Sequence, residues 1–171
     1  MKSTGVIRRI DELGRIVIPK EIRKNLNIRE GENLEIIIDN NNIILTKHSP
    51  LLNIENIIFK IKDSLSDIVT DIIMITDREK VIASSDKRIQ NNKINSFTEY
   101  IDNREIYISK ELESFNIGEE KLTGYFTIVP IISSSDCFGL IIILSQNNIK
   151  RENELLGKLA AKIISNKIDI S

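Results

Sequence analysis

The feature that most restricts how this 171-residue chain can fold is a pair of strand-like segments near its start. Residues 34–38 read Leu-Glu-Ile-Ile-Ile and residues 43–47 read Ile-Ile-Leu-Thr-Lys, with an Asp-Asn-Asn-Asn turn at 39–42 between them. In places these segments are apolar on both faces, whereas a strand covered on one side alternates apolar and polar residues. A unit of about fifty residues is too small to cover both faces. The hairpin therefore predicts that two copies of the chain share one core.

The residues before this hairpin predict a shorter hairpin and a helix. Segments 5–10 and 15–18 have the composition of strands, and Asp-Glu-Leu-Gly at 11–14 has the composition of a turn. Pro19 suits the first position of a helix, because its missing N–H is not needed there. The predicted helix continues to Leu26.

Basic residues in this first segment form the predicted site. The chain has a formal net charge of −1, but its first thirty residues carry eight bases against four acids, and the rest carries 16 against 21. Such a basic end indicates a polyanionic partner, the alternative being an ordinary solvated surface. The turn at 11–14 brings two strand ends together beside the helix. Five cations can thus share one surface: Arg8, Arg9, Arg15, Arg23 and Lys24.

Arginine suits DNA, because its planar fork of donors matches both phosphate oxygens and the edge of guanine. The five cations are therefore the predicted DNA-binding residues. Asp11 and Glu12, which lie beside them, are interpreted as turn and register residues and not as catalytic carboxylates.

Residues 1–50 resemble the AbrB-type DNA-binding domain, through Asp-Glu-Leu-Gly-Arg-x-Val-Ile-Pro at 11–19 and the closing Ile-Ile-Leu-Thr-Lys. The resemblance implies a swapped-hairpin β-barrel of two interleaved chains, with DNA contacts at the five basic positions. It also implies A·T-rich, deformable promoter sites. Lys24 stands where relatives often have Arg, so it should keep the attraction to phosphate and lose bidentate contact with a base.

Ser49-Pro50 marks the predicted boundary, and residues 51–171 have the pattern of a second domain. Apolar residues recur at helical spacing near both of its ends, and apolar runs between them predict strands. The predicted helices cover 53–69, about 96–102 and about 150–168, and the predicted strands cover 71–76, 81–83, 125–132 and 139–144.

This order resembles a GAF-like domain. The predicted fold class is therefore α+β: a dimeric, AbrB-like swapped-hairpin β-barrel followed by a GAF-like α/β domain with flanking helices. The resemblance implies that the first and last helices of this second domain pack between subunits, giving a tetramer. The alternative is that both helices cover their own sheet.

The combination of the two domains resembles a family of developmental transcription regulators of spore-forming bacteria. It implies a cytoplasmic, nucleoid-associated activator and repressor of forespore genes that binds double-stranded DNA. Two alternatives remain open. One is a ligand-gated regulator of transition-state genes, whose GAF-like domain binds a small-molecule effector of unknown identity. The other is an antitoxin.

The sequence favours neither an enzyme nor a bound cofactor or metal. His48 is the only His and has no Ser or Cys partner at a recognisable spacing, which argues against a catalytic triad and a multi-His metal site. Cys137 is the only Cys, so no internal disulfide can form, and it is predicted to be a free thiol on a polar turn beside Asp136. No apolar run approaches the ~20 residues that span a bilayer, so no membrane partner is expected.

Overall fold

The structure, a computed structural model, divides into two compact units, with the division between His48 and Ser49. The predicted domains begin at residue 1 and end at residue 171, and both of these ends lie outside the described part of the chain. The structure describes residues 5–26, 28–30, 32–148 and 150–168.

The first unit contains a short helix and a two-stranded antiparallel sheet. Helix α1 spans Lys20–Asn25, and strands β1 and β2 span Leu34–Asp39 and Asn42–Lys47. Pro19 precedes α1 with an extended ψ of 148°, so the helix begins one residue later than predicted. Asn40 has a φ of 53° in the turn between the strands, a left-handed conformation that Asn tolerates better than most residues.

The predicted strands at 5–10 and 15–18 are not strands in this structure. The turn between them is present, because the Asp11 N–H donates to the Arg15 carbonyl at 3.0 Å and the Gly14 N–H donates to the Asp11 carbonyl at 2.9 Å. The flanking segments pair with no strand of the described chain. An extended segment becomes a strand only when a neighbour supplies the ladder hydrogen bonds, and composition does not reveal that neighbour.

The described residues of the first unit form no core of their own. None of its described residues is buried. Its exposed large apolar side chains are Val6, Ile7, Ile10, Leu13, Ile16, Val17, Leu26, Ile36, Ile37, Ile38, Ile43, Ile44 and Leu45. Since burial of apolar surface is the main favourable contribution to folding, the unit as described lacks the usual source of stability for a domain.

The second unit is an antiparallel sheet with helices on both faces. The sheet has the strand order β4-β3-β8-β7-β5, and β6 pairs with the start of β7. The helices are α2 (Pro50–Asn53), α3 (Glu55–Ile68), α4 (Thr98–Asn103) and α5 (Arg151–Ile168). The strands are β3 (Ile72–Thr76), β4 (Val81–Ser84), β5 (Tyr107–Ile108), β6 (Glu113–Ile117), β7 (Glu120–Ser133) and β8 (Asp136–Ser145).

The central hairpin β7–β8 separates two hydrophobic cores. Ile141 and Ile143 belong to the core under α3 and α5, whereas Leu140 and Ile142 belong to the core on the α4 side. Because both faces of the hairpin are covered, its strands are apolar at successive positions and do not alternate. This two-sided burial explains the apolar runs at 125–132 and 139–144 that predict these strands.

Cys137 does not lie on a polar turn, and that prediction was wrong. It is the second residue of β8, is 1% exposed and belongs to the core on the α4 side. Its thiol donates to the Gly139 carbonyl at 3.3 Å, and burial raises the pKa of the thiol. The turn is shorter than predicted, because Ser134 and Ser135, both at positive φ, are its two central residues. Cys137 therefore falls inside the strand ladder.

Asp77, just after β3, makes the stability of the second unit depend on pH. It is 7% exposed, and its carboxylate accepts hydrogen bonds from the N–H groups of Glu79 and Lys80, both at 2.7 Å. Burial raises the pKa of this carboxyl above its ordinary value despite those bonds. The folded protein thus binds this proton more tightly than the unfolded chain. The resulting stability is present at low pH and is lost as the pH rises through the raised pKa.

An Asp77→Asn substitution should therefore raise the Tm by a few degrees at pH 7, because Asn keeps an acceptor for both N–H groups and carries no charge. The gain should shrink as the pH falls through the raised pKa of Asp77, because the carboxyl of the folded wild-type protein then becomes protonated and loses its charge. Thermal denaturation followed by circular dichroism at pH 7, 5 and 4 measures it. The exposed Asp67→Asn serves as the matched control, with little change expected. A lower Tm for Asp77→Asn at every pH would contradict the prediction.

Candidate nucleic-acid interface

The five predicted DNA contacts lie around the 11–14 turn and in α1. Arg8 and Arg9 precede the turn and Arg15 follows it, while Arg23 and Lys24 occupy the last turn of α1. Arg8, Arg9 and Arg15 are exposed, as the turn leaves them open to solvent. The hydrogen-bonded turn brings the chain back on itself between Asp11 and Arg15. Within the described residues, no side-chain hydrogen bond or ion pair links the two cations of α1 to the turn.

The turn is organised by the carboxylate of Asp11. Its Oδ1 accepts hydrogen bonds from the N–H groups of Leu13 at 3.0 Å and of Arg15 at 2.8 Å, and its Oδ2 accepts one from Arg15 Nε at 2.7 Å. The bond from the Arg15 backbone, followed by the bond from its side chain, lowers the pKa of Asp11. The carboxylate is therefore charged at neutral pH.

The structure supports the turn role of Asp11 and adds an ion pair that the sequence did not predict. Spacing of i, i+4 brings side chains together on a helix, but residues 11–15 form a turn. The spacing therefore carried no signal for this contact, and only the turn geometry reveals it.

Arg23 differs from the other cations in its surroundings. Its side chain is half-buried, and its Nε is buried and has no hydrogen-bond partner among the described residues. A buried donor without an acceptor costs free energy, and the cost is larger when the group is charged. Arg23 is therefore the basic residue with the clearest need for an acceptor from another molecule.

Among the described residues of the second unit, an open groove carries no comparable basic surface. The groove, of about 660 Å³, lies between the segments 88–96 and 116–120. Arg88 and Lys93 line it together with Glu119 and Glu120, so its charges are mixed, and Arg88 already pairs with Asp86 at 2.6 Å. Among the described residues, no three His, Cys, Asp or Glu side chains gather as a metal site would require, and no helix is long and apolar enough to cross a bilayer.

Comparison with known proteins assigns the family. A family profile described as "Stage V sporulation protein T C-terminal, transcription factor" matches residues 53–169. Stage V sporulation protein T of Bacillus subtilis (strain 168) is 37% identical over 161 residues, which cover 90% of this chain and 90% of that protein. This chain belongs to the stage V sporulation protein T family.

Membership of the stage V sporulation protein T family makes the chain a DNA-binding transcription regulator of sporulation, as the sequence predicted. The AbrB-type resemblance of the first residues is confirmed as well. The transition state regulatory protein AbrB is 56% identical over 50 residues and the putative transition state regulator Abh is 50% identical over 50 residues, both from the same organism. These matches cover 29% of this chain, 52% of AbrB and 54% of Abh.

Of the two alternative functions, the antitoxin is supported only by a match near the start of the chain. A profile described as "Antidote-toxin recognition MazE, bacterial antitoxin" matches residues 7–52. The stage V sporulation protein T relative covers both units, so neither the antitoxin nor the ligand-gated regulator of transition-state genes is favoured. The matched relatives are regulators, and no enzyme family is indicated. The α+β class, with an AbrB-like first domain, is confirmed.

Proposed function

We propose that this member of the stage V sporulation protein T family holds promoter DNA with five cations of a dimeric first domain, residues 1–50. The observation that carries the proposal is the combination of four exposed cations and one half-buried cation with a unit whose described residues form no core. The proposed contacts are Arg8, Arg9, Arg15, Arg23 and Lys24. Each phosphate that a cation neutralises releases counterions, so binding should weaken steeply with salt.

The dimer follows from the apolar residues that the first unit exposes. A second copy that interleaved its hairpins with the first would cover them and supply the strand partners missing at 5–10 and 15–18. A two-fold axis would then place two sets of five cations on one assembly. This arrangement is the swapped-hairpin β-barrel that the AbrB-type resemblance implies. An acceptor for Arg23 Nε would come from DNA or from the second copy.

The second domain, residues 51–171, is proposed to be GAF-like and to join two dimers into a tetramer. Helix α5 covers its own sheet with one face, through Ala160 and Ile164. Another face carries Leu155 and Leu159, which are 61% and 58% exposed, and Ile163 follows one turn later. Exposed apolar residues at i, i+4 and i+8 support packing of this helix between subunits. Two linked dimers on one duplex would raise the effective affinity of each.

An architectural role for the second domain is supported by the packing on the α4 side of its sheet. The ring centroids of Phe97 and Phe115 are 4.8 Å apart, and those of Phe115 and Phe126 are 4.7 Å apart. Side chains thus fill this part of the core. Binding of a small-molecule effector therefore rests on the GAF-like resemblance alone. The same resemblance supports activation and repression of forespore genes, A·T-rich sites, and a place in the cytoplasm at the nucleoid.

Replacing Arg8 and Arg15 together by Ala should weaken binding to an A·T-rich promoter duplex about 100-fold at about 0.1 M salt, because each chain of the dimer then has two fewer cations. The slope of log affinity against log salt should become shallower by about one for each phosphate that is no longer neutralised. Mobility-shift titrations of the full chain at several salt concentrations measure both quantities.

The matched control is Lys110→Ala with Lys121→Ala, which removes two exposed cations from the second unit. This variant should bind almost as tightly as the wild type, with nearly the same salt slope. Equal affinity and equal slope for the Arg8→Ala/Arg15→Ala variant and the wild type would remove these arginines from the site.

A further inference from the structure

The Asp11 carboxylate uses each of its oxygens for a different purpose. Oδ1 closes the turn by accepting the N–H groups of Leu13 and Arg15, whereas Oδ2 accepts the Nε–H of the Arg15 side chain at 2.7 Å. Two backbone hydrogen bonds, between Asp11 and Arg15 and between Gly14 and Asp11, close the same turn. The bond to Oδ2 is an additional contact that fixes one end of the Arg15 guanidinium.

This contact leaves the other end of the guanidinium available. The Arg15 side chain is 72% exposed, and within the described residues Nη1 and Nη2 make no hydrogen bond. Those two nitrogens carry four N–H donors at the end of the planar fork. A pair of donors in this arrangement matches the O6 and N7 acceptors of guanine or two oxygens of one phosphate.

We propose that Asp11 is a positioning residue, which holds Arg15 through Nε so that Nη1 and Nη2 meet DNA in one preset orientation. The inference rests on the proposed function, because it requires Arg15 to contact DNA. A free arginine loses much rotamer freedom when it binds, and a side chain already held in one orientation loses less. Held in this way, Arg15 favours a DNA surface of matching geometry over one that offers charge alone.

A second argument comes from the sign of the charge on Asp11. A carboxylate beside the DNA-facing cations repels phosphates, so it lowers affinity for every sequence alike. The ion pair is also exposed on both sides, and pairs of this kind contribute little to folding stability. The charge of Asp11 thus opposes binding to any DNA and leaves the ratio between the affinities for specific and non-specific DNA unchanged. Its contact with Arg15 favours specific DNA, so the contact alone increases this ratio.

The test is an Asp11→Asn substitution in the full chain. Asn keeps an oxygen for the two backbone N–H groups, but it presents an NH₂ group where Arg15 Nε needs an acceptor. The two DNA probes are a duplex that the wild-type protein enriches from a random pool, and poly(dI–dC). We expect the affinity ratio between these probes to fall about tenfold. The affinity for poly(dI–dC) itself should stay equal or rise.

Glu12→Gln is the matched control, because it removes the same charge from the neighbouring exposed residue and leaves the Asp11–Arg15 contact in place. It should change the affinity for both probes by a similar factor and keep their ratio. Thermal melts of both variants close to that of the wild type would show that neither substitution unfolds the chain.

A double-mutant cycle with Arg15→Ala separates the inference from the function on which it rests. If Asp11 acts through Arg15, then Asp11→Asn lowers the ratio in the wild type and has no further effect in the Arg15→Ala background. An equal fall in both backgrounds, or no fall in the wild type while Arg15→Ala does lower the ratio, would overturn the positioning role alone. A normal ratio for Arg15→Ala itself would overturn the proposed DNA contact and the positioning role together.

Discussion

An aspartate in place of Ile36 is expected to abolish dimerisation and to weaken DNA binding by at least about 1000-fold. Ile36 lies in the middle of β1, opposite Leu45 of β2, and is 68% exposed in the single chain. Side chains alternate along a strand, so Ile36 shares its face with Ile38, and their cross-strand neighbours Leu45 and Ile43 are also apolar. This face is the one that we expect the second copy to cover.

The substitution discriminates sharply between a dimer and a monomer. In a monomer, an exposed Asp at this position changes stability by only about 0.5 kcal/mol or less. In the interleaved dimer, each Ile36→Asp carboxylate would be buried without a partner, at a cost of about 3–5 kcal/mol per chain. Sedimentation velocity measures the mass of the assembly, and a mobility shift measures DNA affinity.

The control for this experiment adds the same charge to the same hairpin. Asn41→Asp lies in the exposed turn between β1 and β2, away from the apolar face. It should keep both the assembly and DNA binding. A dimer of Ile36→Asp that binds DNA like the wild type would show that this face is not covered by a second copy.

The second large effect concerns the folding of the second unit. Gly139→Ala is expected to destabilise this unit by on the order of 4 kcal/mol. A Cβ at Gly139 would lie 1.9 Å from the Thr76 carbonyl oxygen and 2.8 Å from its carbonyl carbon. The obstacle is a backbone carbonyl group of the neighbouring strand β3. It cannot rotate away as a side chain can. The Thr76 hydroxyl also accepts the Leu140 N–H at 3.1 Å, which holds the two strands together at this point.

Gly157→Ala in α5 is the same chemical change with a different obstacle. Its Cβ would lie 2.8 Å from Cγ2 of Val129, which is the end of a side chain, and Ala is about 1 kcal/mol better than Gly in a helix. The net destabilisation should therefore be about 2 kcal/mol or less, well below that of Gly139→Ala. Urea denaturation followed by circular dichroism gives the free energy of unfolding of both variants. Similar losses for the two would refute the steric argument at Gly139.

The parts of the fold that follow from sequence are those whose pattern depends on the chain itself. Helices α3 and α5 have apolar residues at helical spacing, and β7 and β8 are continuous apolar runs that a sheet covered on both faces requires. Strand β5 has two residues and β6 reads Glu-Ser-Phe-Asn-Ile, so neither is apolar enough to stand out. They are strands because β7 lies beside them.

The candidate site likewise has features that the sequence reveals and features that only the folded chain reveals. The five cations stand out in the sequence because charge is counted without knowing the fold. The contact between Asp11 and Arg15 could not be predicted, since it depends on a turn that brings i and i+4 together outside a helix. The predicted location of Cys137 on a turn was wrong for a related reason. The Ser134-Ser135 turn adopts positive φ without the Asn or Gly that usually signals it, so the polar run looked longer than the turn is.

The position of the β7–β8 hairpin between two cores determines how the second unit can lose its structure. Its side chains divide between the cores, but both cores depend on the same pair of backbones. Loss of packing in either core uncovers one face of the hairpin. The strands whose opposite face borders the other core are then exposed to solvent. We therefore expect the two cores to unfold together, so that a substitution on the α4 side also lowers the stability of the α3 and α5 side.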